Sequence, residues 1–261
     1  MFTIQPIESL SDNYIWCLAF EQEKHALVVD PGDAAPVLAH LKDNNLTLAG
    51  ILVTHHHKDH TGGIQALLDH KDVPVYGPQA CKHPTITQHL AEGDRLNILG
   101  LSMHIHEVPA HTLDHIFYKI PKTDDTEADI IFCGDTLFRA GCGRLLEGSP
   151  EQLMAAMELL KSQPEDTVLY PTHEYSLANL AFAAAVEPLN AEVQSCIQWC
   201  EAQRADGKPT LPTTVAEEKQ INPFMRFDCQ PVIDAVQKQT NEPCDTPADV
   251  VKLLRRWKDH F

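Results

Sequence analysis

A ten-residue stretch, THHHKDHTGG at positions 54–63, concentrates four histidines and one aspartate. Side chains of an extended segment alternate between two sides, so we predict that His55, His57 and Asp59 point the same way. His60, at the start of a following helix, is predicted to turn towards a second point. Imidazole nitrogens and carboxylate oxygens are ligands for zinc, manganese or iron. The spacing therefore predicts ligands for two adjacent cations.

Three later residues resemble the ligands that such a site still lacks. His111 lies in VPAHTLDH, Asp135 in IIFCGDTLF and His173 in LYPTHEY, and each follows a predicted strand. Proteins of the α/β class tend to place their sites at strand ends. With the first four, these residues make seven ligands, which is enough for two metal ions that share a carboxylate.

Short strands, closed by turn residues, are predicted throughout the first part of the chain. They are FTIQPI, YIWCLAF, HALVVDPG, AGILVT, VPVYGP, RLNILG, LSMHIHEV, HIFYKI, DIIFCGDTLF and DTVLYPTH. Helical spacing is present in DAAPVLAHLKDN, GGIQALLDH and SPEQLMAAMELLKS. In the last of these, Ser149 and Gln152 form a predicted capping box. The histidine-rich tract follows AGILVT, at the end of a strand.

From about Tyr175 onward the chain is predicted to be mostly helical. The helical segments are SLANLAFAAAVEP, NAEVQSCIQWCEAQRADG and PADVVKLLRRWKDHF, joined by proline-rich connections. The sequence therefore predicts an α/β domain over residues 1–173, followed by a mostly helical domain over residues 174–261.

Charge and composition restrict the classes of partner. The chain has 20 basic and 37 acidic side chains, a formal net charge of −17 at pH 7, which disfavours nucleic acid and anionic membrane surfaces. The first residues lack a signal-peptide pattern, and no apolar run reaches the roughly 18 residues of a membrane-spanning helix. The eight cysteines show no CxxC pairing and are typical of a reducing compartment. We expect a cytoplasmic monomer.

The motifs THHHKDHTGG, PAHT, FCGDTLF and THEY, in this order, resemble those of the metallo-β-lactamase superfamily. The segments GDTLFRAGCGRLLEG, HEYSLANLAFA, LPTT followed by EKQINPFMR, and the terminal RRWKD are similar to the glyoxalase II, or hydroxyacylglutathione hydrolase, family. The resemblance spans nearly the whole chain. It implies an αββα metallo-β-lactamase sandwich of the α/β (α+β) class, in which residues 1–173 form the metal-binding catalytic domain. It also implies that the C-terminal, mostly helical domain of residues 174–261 binds the glutathione substrate.

The resemblance also implies roles for individual residues. One metal ion would be held by His55, His57 and His111, the other by Asp59, His60 and His173, with Asp135 bridging the two. We expect two divalent ions per chain, with zinc as the first expectation and iron or manganese as alternatives. Asp59 and Asp135 are the expected catalytic carboxylates.

Glutathione contacts are implied for Arg144, Tyr175, Asn179, Arg255 and Lys258. Arg255 and Lys258 are spaced i, i+3, so one helical face can present both to a carboxylate. They would supply the local basic patch that an anionic substrate needs in an acidic chain. Without the resemblance, RRWKD is equally well explained as a solvated helix end favoured by the helix dipole.

The expected reaction is hydrolysis of S-D-lactoylglutathione to D-lactate and glutathione, the second step of methylglyoxal detoxification. A metal ion lowers the pKa of bound water from about 15.7 towards about 7, so we expect metal-bound hydroxide to attack the thioester. The alternative is a glutathione persulfide dioxygenase with a mononuclear iron. A module with purely structural metals and superfamily hydrolases acting on lactams, lactones or RNA are weaker alternatives.

Several other residues are of types that could have a functional role, but we predict that they are structural. His56 falls on the side of the tract opposite to the ligands. Cys142 lacks a separate base, and Cys196 and Cys200, at i and i+4 on a helix, lack a second pair to complete a zinc site. Two departures from the family pattern, Asp114 in place of a glycine and Leu146 in place of the tyrosine of eukaryotic members, lie near the predicted site.

Overall fold

A computed structural model describes residues 2–20, 22–123 and 126–261. The chain divides into two compact units. The first unit comprises Met1–Glu107 and Asp114–Gly134, and the second comprises Val108–Leu113 and Asp135–Phe261. The domain boundary expected between residues 173 and 174 stays a prediction.

The first unit contains a six-stranded sheet in the order β1-β2-β3-β4-β5-β6. Its strands are β1 (Thr3–Ser9), β2 (Asn13–Phe20), β3 (His25–Val29), β4 (Thr47–Leu52), β5 (Val75–Pro78) and β6 (Gln88–Leu90). The first three strands pair antiparallel, and β3 to β6 pair parallel. Every residue of β2 is buried, as is typical of a strand covered on both faces.

Three helices of the first unit accompany this sheet: α1 (Ala34–Asp43), α2 (Lys58–Thr61) and α3 (Ile64–His70). The Asp33 side chain caps α1 by accepting a hydrogen bond from the backbone N–H of Ala35. Val37 of α1 and Leu67 of α3 are fully buried and share one apolar cluster with the sheet residue Ile51. The helices therefore cover one face of the sheet through their apolar sides.

A second run of strands in the first unit is antiparallel: β7 (Arg95–Ile98), β8 (Leu101–Glu107), β9 (Ile116–Ile120) and β10 (Ile130–Gly134). Tyr118 of β9 is fully buried and its hydroxyl donates to the carbonyl oxygen of Val53, at 2.8 Å, next to the end of β4. Burial raises the pKa of this phenol well above its ordinary value. The hydrogen bond shows that the two sets of strands pack face to face.

The second unit is mostly helical. It contains β11 (Leu137–Phe138), β12 (Gly141–Cys142), α4 (Pro150–Lys161), β13 (Val168–Pro171), α5 (Ser176–Val186), α6 (Ala191–Ala205), β14 (Thr213–Thr214), α7 (Val215–Ile221), α8 (Gln230–Thr240) and α9 (Pro247–Asp259). The predicted capping box of Ser149 and Gln152 at the start of α4 is confirmed.

Two helices of the second unit, α7 and α8, were not predicted from the sequence. Helix α7 is short and follows the proline-rich KPTLPTT segment, but Thr214 and Glu217 form a capping box at its start. Helix α8 has a proline in its first turn, where the missing N–H costs no hydrogen bond. Local start signals were thus present in both segments. Among the described residues, no helix is both long enough and apolar enough to cross a membrane.

Candidate metal centre

The histidine-rich tract occupies the connection between β4 and α3, as its position after a strand predicts. His55 and His60 are fully buried, and Asp59 keeps 40% of its side-chain surface exposed. His55 Nε2 lies 3.0 Å from His57 Nδ1, and His55 Nδ1 lies 3.0 Å from the hydroxyl of Thr54. Two ring nitrogens this close require a shared proton or a shared cation, so the contact fits a pair of metal ligands.

A buried carboxylate, Asp30, sets the orientation of His60. It accepts hydrogen bonds from the Thr54 backbone N–H at 2.8 Å and the Thr54 hydroxyl at 2.7 Å. Its Oδ2 also lies 3.0 Å from His60 Nδ1. Because an ionised carboxylate only accepts, Nδ1 carries the ring proton and the lone pair is at Nε2. Asp30 therefore prepares His60 to bind a cation through Nε2.

Asp30 was not predicted as a functional residue, although it lies in the predicted strand HALVVDPG. Its φ of 53° places it in the left-handed region, which aspartate tolerates better than most residues. The following Gly32 is required by close packing, since a Cβ there would lie 2.0 Å from the backbone oxygen of Asp59. An aspartate at a strand end before proline and glycine was the signal that could have found it.

The side chain of Asn13, which also belongs to the first unit, holds Asp59 in place. The side-chain amide of Asn13 donates to both the backbone oxygen and Oδ2 of Asp59, each at 3.3 Å. Asp59 Oδ2 also lies 3.5 Å from His60 Nε2. The carboxylate is therefore oriented towards the lone pair of His60 while part of it stays accessible to solvent.

In the second unit, Asp135 lies between two histidines. Its Oδ2 is 3.4 Å from His111 Nε2, and its Oδ1 is 3.3 Å from His173 Nε2. His111 Nδ1 donates to the backbone carbonyl of Arg144 at 2.8 Å, which leaves the lone pair at Nε2. Each carboxylate oxygen thus faces a different imidazole, which is the arrangement that a bridging ligand needs.

Groups of His and Asp ligand atoms are close enough to hold metal ions. Three such groups, in each of which the ligand atoms lie within 4.8 Å of one another, are His55 with His57 and His111, His55 with His60 and Asp135, and Asp59 with His60 and His173. The first and third groups have the same members as the two implied ligand sets. Imidazole and carboxylate donors without cysteine suit a catalytic divalent-metal site better than a structural zinc site.

The five residues implied to bind glutathione differ in exposure. The Arg144 side chain is 73% exposed. Tyr175 is partly exposed, and its ring stacks on His173 with centroids 4.8 Å apart. Asn179 is buried, and its side-chain amide donates to the backbone oxygen of Arg139 at 3.2 Å.

The basic residues of helix α9 lie near the carboxylate of Asp259, which was not predicted as a site residue from the sequence. Arg255 is buried, donates to the backbone oxygen of Cys142 at 3.0 Å and pairs with Asp259 at 2.9 Å. The same Asp259 oxygen lies 4.0 Å from Arg144 Nε. Lys258 Nζ donates to the backbone oxygen of Ala178 at 3.0 Å. In the second unit, the basic residues that are expected to bind glutathione therefore lie near one acidic residue, Asp259.

The charge of Lys258 is sensitive to pH near neutrality. Burial is the main cause, with the neighbouring Arg255 as a second, and together they lower the pKa of the Lys258 ammonium to about 8. Below about pH 8 this lysine is a cation, and above it the charge is lost.

Residues predicted to be structural make protein contacts. Cys142 is buried, accepts from Arg255 Nη1 at 3.4 Å, and has a pKa raised by burial, which does not suit a nucleophile. His56 Nδ1 lies 3.0 Å from Asp114 Oδ1. Asp114, which replaces a glycine of the family pattern, therefore pairs with His56, a histidine that is not among the implied metal ligands. Leu146 is exposed.

Comparison with known proteins covers the whole chain. Residues 11–173 match the metallo-beta-lactamase superfamily, and residues 174–261 match the hydroxyacylglutathione hydrolase C-terminus. Over 261 residues, and with 100% of both chains covered, the sequence is 48% identical to the hydroxyacylglutathione hydrolase of Hahella chejuensis. It is 43% identical to that of Chromohalobacter salexigens, again with 100% of both chains covered. Among solved structures it is similar to ETHE1 from Myxococcus xanthus, with a TM-score of 0.64, 23% identity and 99% of each chain covered.

The facing sheets and the His and Asp clusters define a metallo-β-lactamase fold with a divalent-metal site, which confirms the predicted fold class. The ETHE1 likeness, at 23% identity, bears on the fold alone. The full-length identities go further. The chain belongs to the hydroxyacylglutathione hydrolase family of the metallo-β-lactamase superfamily.

Because Asp30 orients His60, its replacement should weaken metal binding. We expect Asp30→Ala to lower the affinity for zinc at the position that His60 is expected to hold by roughly 10–100-fold, as is usual when the partner of a ligand histidine is removed. Competition with a chromophoric chelator measures this affinity without reference to activity. Asp33→Ala is the matched control, since Asp33 caps α1 and should cost about 1 kcal/mol of stability with unchanged zinc affinity. Equal zinc affinities for the two variants would contradict the assignment.

Proposed function

We propose that this chain hydrolyses S-D-lactoylglutathione to D-lactate and glutathione. The observation that carries the proposal is the Asp135 carboxylate, whose two oxygens face His111 and His173, in a chain related over its full length to hydroxyacylglutathione hydrolases. A carboxylate in this position can serve two cations at once. The cations gathered around Asp259 supply a site for an anionic carrier in an otherwise acidic protein.

We propose that two divalent ions bind per chain, with zinc as the first expectation and iron or manganese as alternatives. The proposed ligands are His55, His57 and His111 for one ion, Asp59, His60 and His173 for the other, and Asp135 for both. Such ions lower the pKa of bound water from about 15.7 towards about 7 and so make hydroxide available at neutral pH.

Asp59 is proposed to orient the attacking water in addition to binding a cation. Asn13 holds its carboxylate, and 40% of the side chain remains open to solvent. The leaving group is a thiolate whose conjugate acid has a pKa of roughly 8.5, so its departure needs little help from a general acid. None of the eight cysteines is needed for the hydrolysis.

Five residues are proposed to bind the glutathione moiety: Arg144, Tyr175, Asn179, Arg255 and Lys258. Arg144 and Tyr175 present exposed surface, and Tyr175 stacks on the proposed ligand His173. Arg255 is fixed by Cys142 and Asp259 before any substrate arrives. A preorganised cation loses less side-chain entropy on binding a carboxylate than a mobile one.

We also propose a cytoplasmic location and a monomeric state. None of the eight cysteines, each in the described part of the chain, forms a disulfide, which is typical of a reducing compartment.

Replacement of Asp135 tests the proposed reaction. We expect Asp135→Ala to lose metal and to reduce kcat for S-D-lactoylglutathione by at least about 10³-fold, because the shared ligand is gone. Asp166→Ala, at an exposed position, is the control and should keep full activity. Metal content and steady-state rates are measured together. Oxygen uptake with glutathione persulfide, one iron per wild-type chain and no thioester hydrolysis would instead favour the dioxygenase.

The pKa of Lys258 predicts how substrate binding changes with pH. Because the ammonium is protonated below about pH 8 and neutral above it, KM for the glutathione thioester should rise between pH 7 and pH 9. The expected rise is several-fold, with a smaller change in kcat, because the contact is to the carrier. In Lys258→Arg the guanidinium stays charged, so this part of the rise should vanish. The same KM profile in both proteins would exclude Lys258 from substrate binding.

A further inference from the structure

The eight cysteines differ in whether a dissolved reactant can reach them. Five are buried: Cys17, Cys81, Cys133, Cys142 and Cys200. Three are partly exposed: Cys196, Cys229 and Cys244. These three residues keep part of their surface open to solvent, and their surroundings decide which of the three thiols ionises most easily.

Two of the accessible thiols lie beside carboxylates. Cys229 Sγ lies 3.8 Å from Asp228 Oδ1 and Cys244 is close to Asp249, Asp245 and Glu242. For both thiols, partial burial is the main effect and it raises the pKa, while these carboxylates raise it further. Arg226 opposes the shift at Cys229 without reversing it. Both groups therefore stay protonated at neutral pH.

Cys196 lies beside a fixed cation. Arg139 Nη1 is 3.8 Å from Cys196 Sγ, and the Arg139 side chain is only 2% exposed. Two backbone carbonyls hold the guanidinium, those of Thr210 and Pro212, each at 2.8 Å. Glu217 Oε2 also lies 3.5 Å from Arg139 Nη2. The guanidinium is thus held next to Cys196 by these three partners, and its positive charge favours the thiolate over the thiol.

A neighbouring thiol also stabilises the ionised form. Cys200, one helical turn later on α6, is fully buried. This neighbouring thiol and the Arg139 charge lower the pKa of Cys196, against partial burial and the carboxylate of Glu218, which raise it. Glu218 is itself buried, which raises its pKa to about 7 and so reduces its negative charge at neutral pH.

We propose that Cys196 is a thiol-modification site that takes glutathione from glutathione disulfide. The Cys196 thiolate attacks one sulfur of the disulfide, and a new sulfur–sulfur bond forms to the protein. The old sulfur–sulfur bond breaks, and its electron pair leaves with glutathione thiolate, which takes a proton from water. Cys196 is oxidised and one half of the disulfide is reduced. This proposal gives Cys196 a role beyond the structural one expected for Cys196 and Cys200.

Glutathione disulfide suits this site because it is the oxidised form of the thiol that the proposed hydrolysis releases. The site itself stands on contacts of α6 with Arg139 and includes none of the proposed metal ligands. Modification can therefore be measured whether or not the protein hydrolyses a thioester.

The test is the rate of modification at each cysteine of the native protein. Purified protein is incubated with glutathione disulfide at pH 7 and quenched with acid, and each cysteine is followed by peptide mass spectrometry. We expect the adduct at Cys196 to form several-fold faster than those at Cys229 and Cys244, and to be removed by dithiothreitol. An adduct at Cys229 or Cys244 that forms as fast, or no adduct at Cys196, would overturn the proposal.

Matched variants distinguish the fast reaction at Cys196 from the general reactivity of exposed thiols. Cys196→Ser should abolish the fast adduct, and Cys229→Ser should leave it in place. The pH dependence of iodoacetamide alkylation gives a second readout that needs no variant, since only the thiolate reacts. The half-maximal rate should occur at a lower pH for Cys196 than for Cys244. The reverse order would refute the role given to Arg139 and Cys200.

Discussion

The orientation of imidazole rings by hydrogen-bond acceptors, one a buried carboxylate and one a backbone carbonyl, is the interaction on which the rest of the structure depends. A histidine ligand is useful only if its proton is on the nitrogen that faces away from the cation. Asp30 meets this requirement for His60, and the backbone oxygen of Arg144 meets it for His111. The strand ends, the left-handed backbone at Asp30 and the close approach at Gly32 all serve to bring these partners into place.

The sequence pattern singled out the proposed ligands but not the residues that support them. The tract from His55 to His60 is local, so its side chains are close together in sequence. Strand β4 ends at Leu52 and helix α2 begins at Lys58, so Asp59 lies in a helix and not in the extended segment expected for it. Asp30 acts 30 residues away from His60, and its own segment reads as an ordinary turn after a strand. Helix α7 was missed because the proline-rich segment before it masks its capping box. The sequence pattern therefore did not predict long-range contacts or short capped helices.

The basic end of helix α9 shows where the family resemblance was needed. Spacing alone left RRWKD as either a substrate site or a helix end. The structure buries Arg255 against Cys142 and Asp259 and leaves Lys258 with a pKa of about 8. An exposed helix end would show neither the burial nor the shared carboxylate. This environment gives the acidic chain a local cationic surface.

The central claim is that two metal ions, bound together, are required for thioester hydrolysis. The most direct measurement is a titration of zinc into protein freed of metal by a chelator, with the initial rate of S-D-lactoylglutathione hydrolysis recorded after each addition. We predict that the rate returns and reaches its plateau at about two equivalents per chain. A plateau at one equivalent, or a fully loaded protein that does not hydrolyse the thioester, would contradict the account.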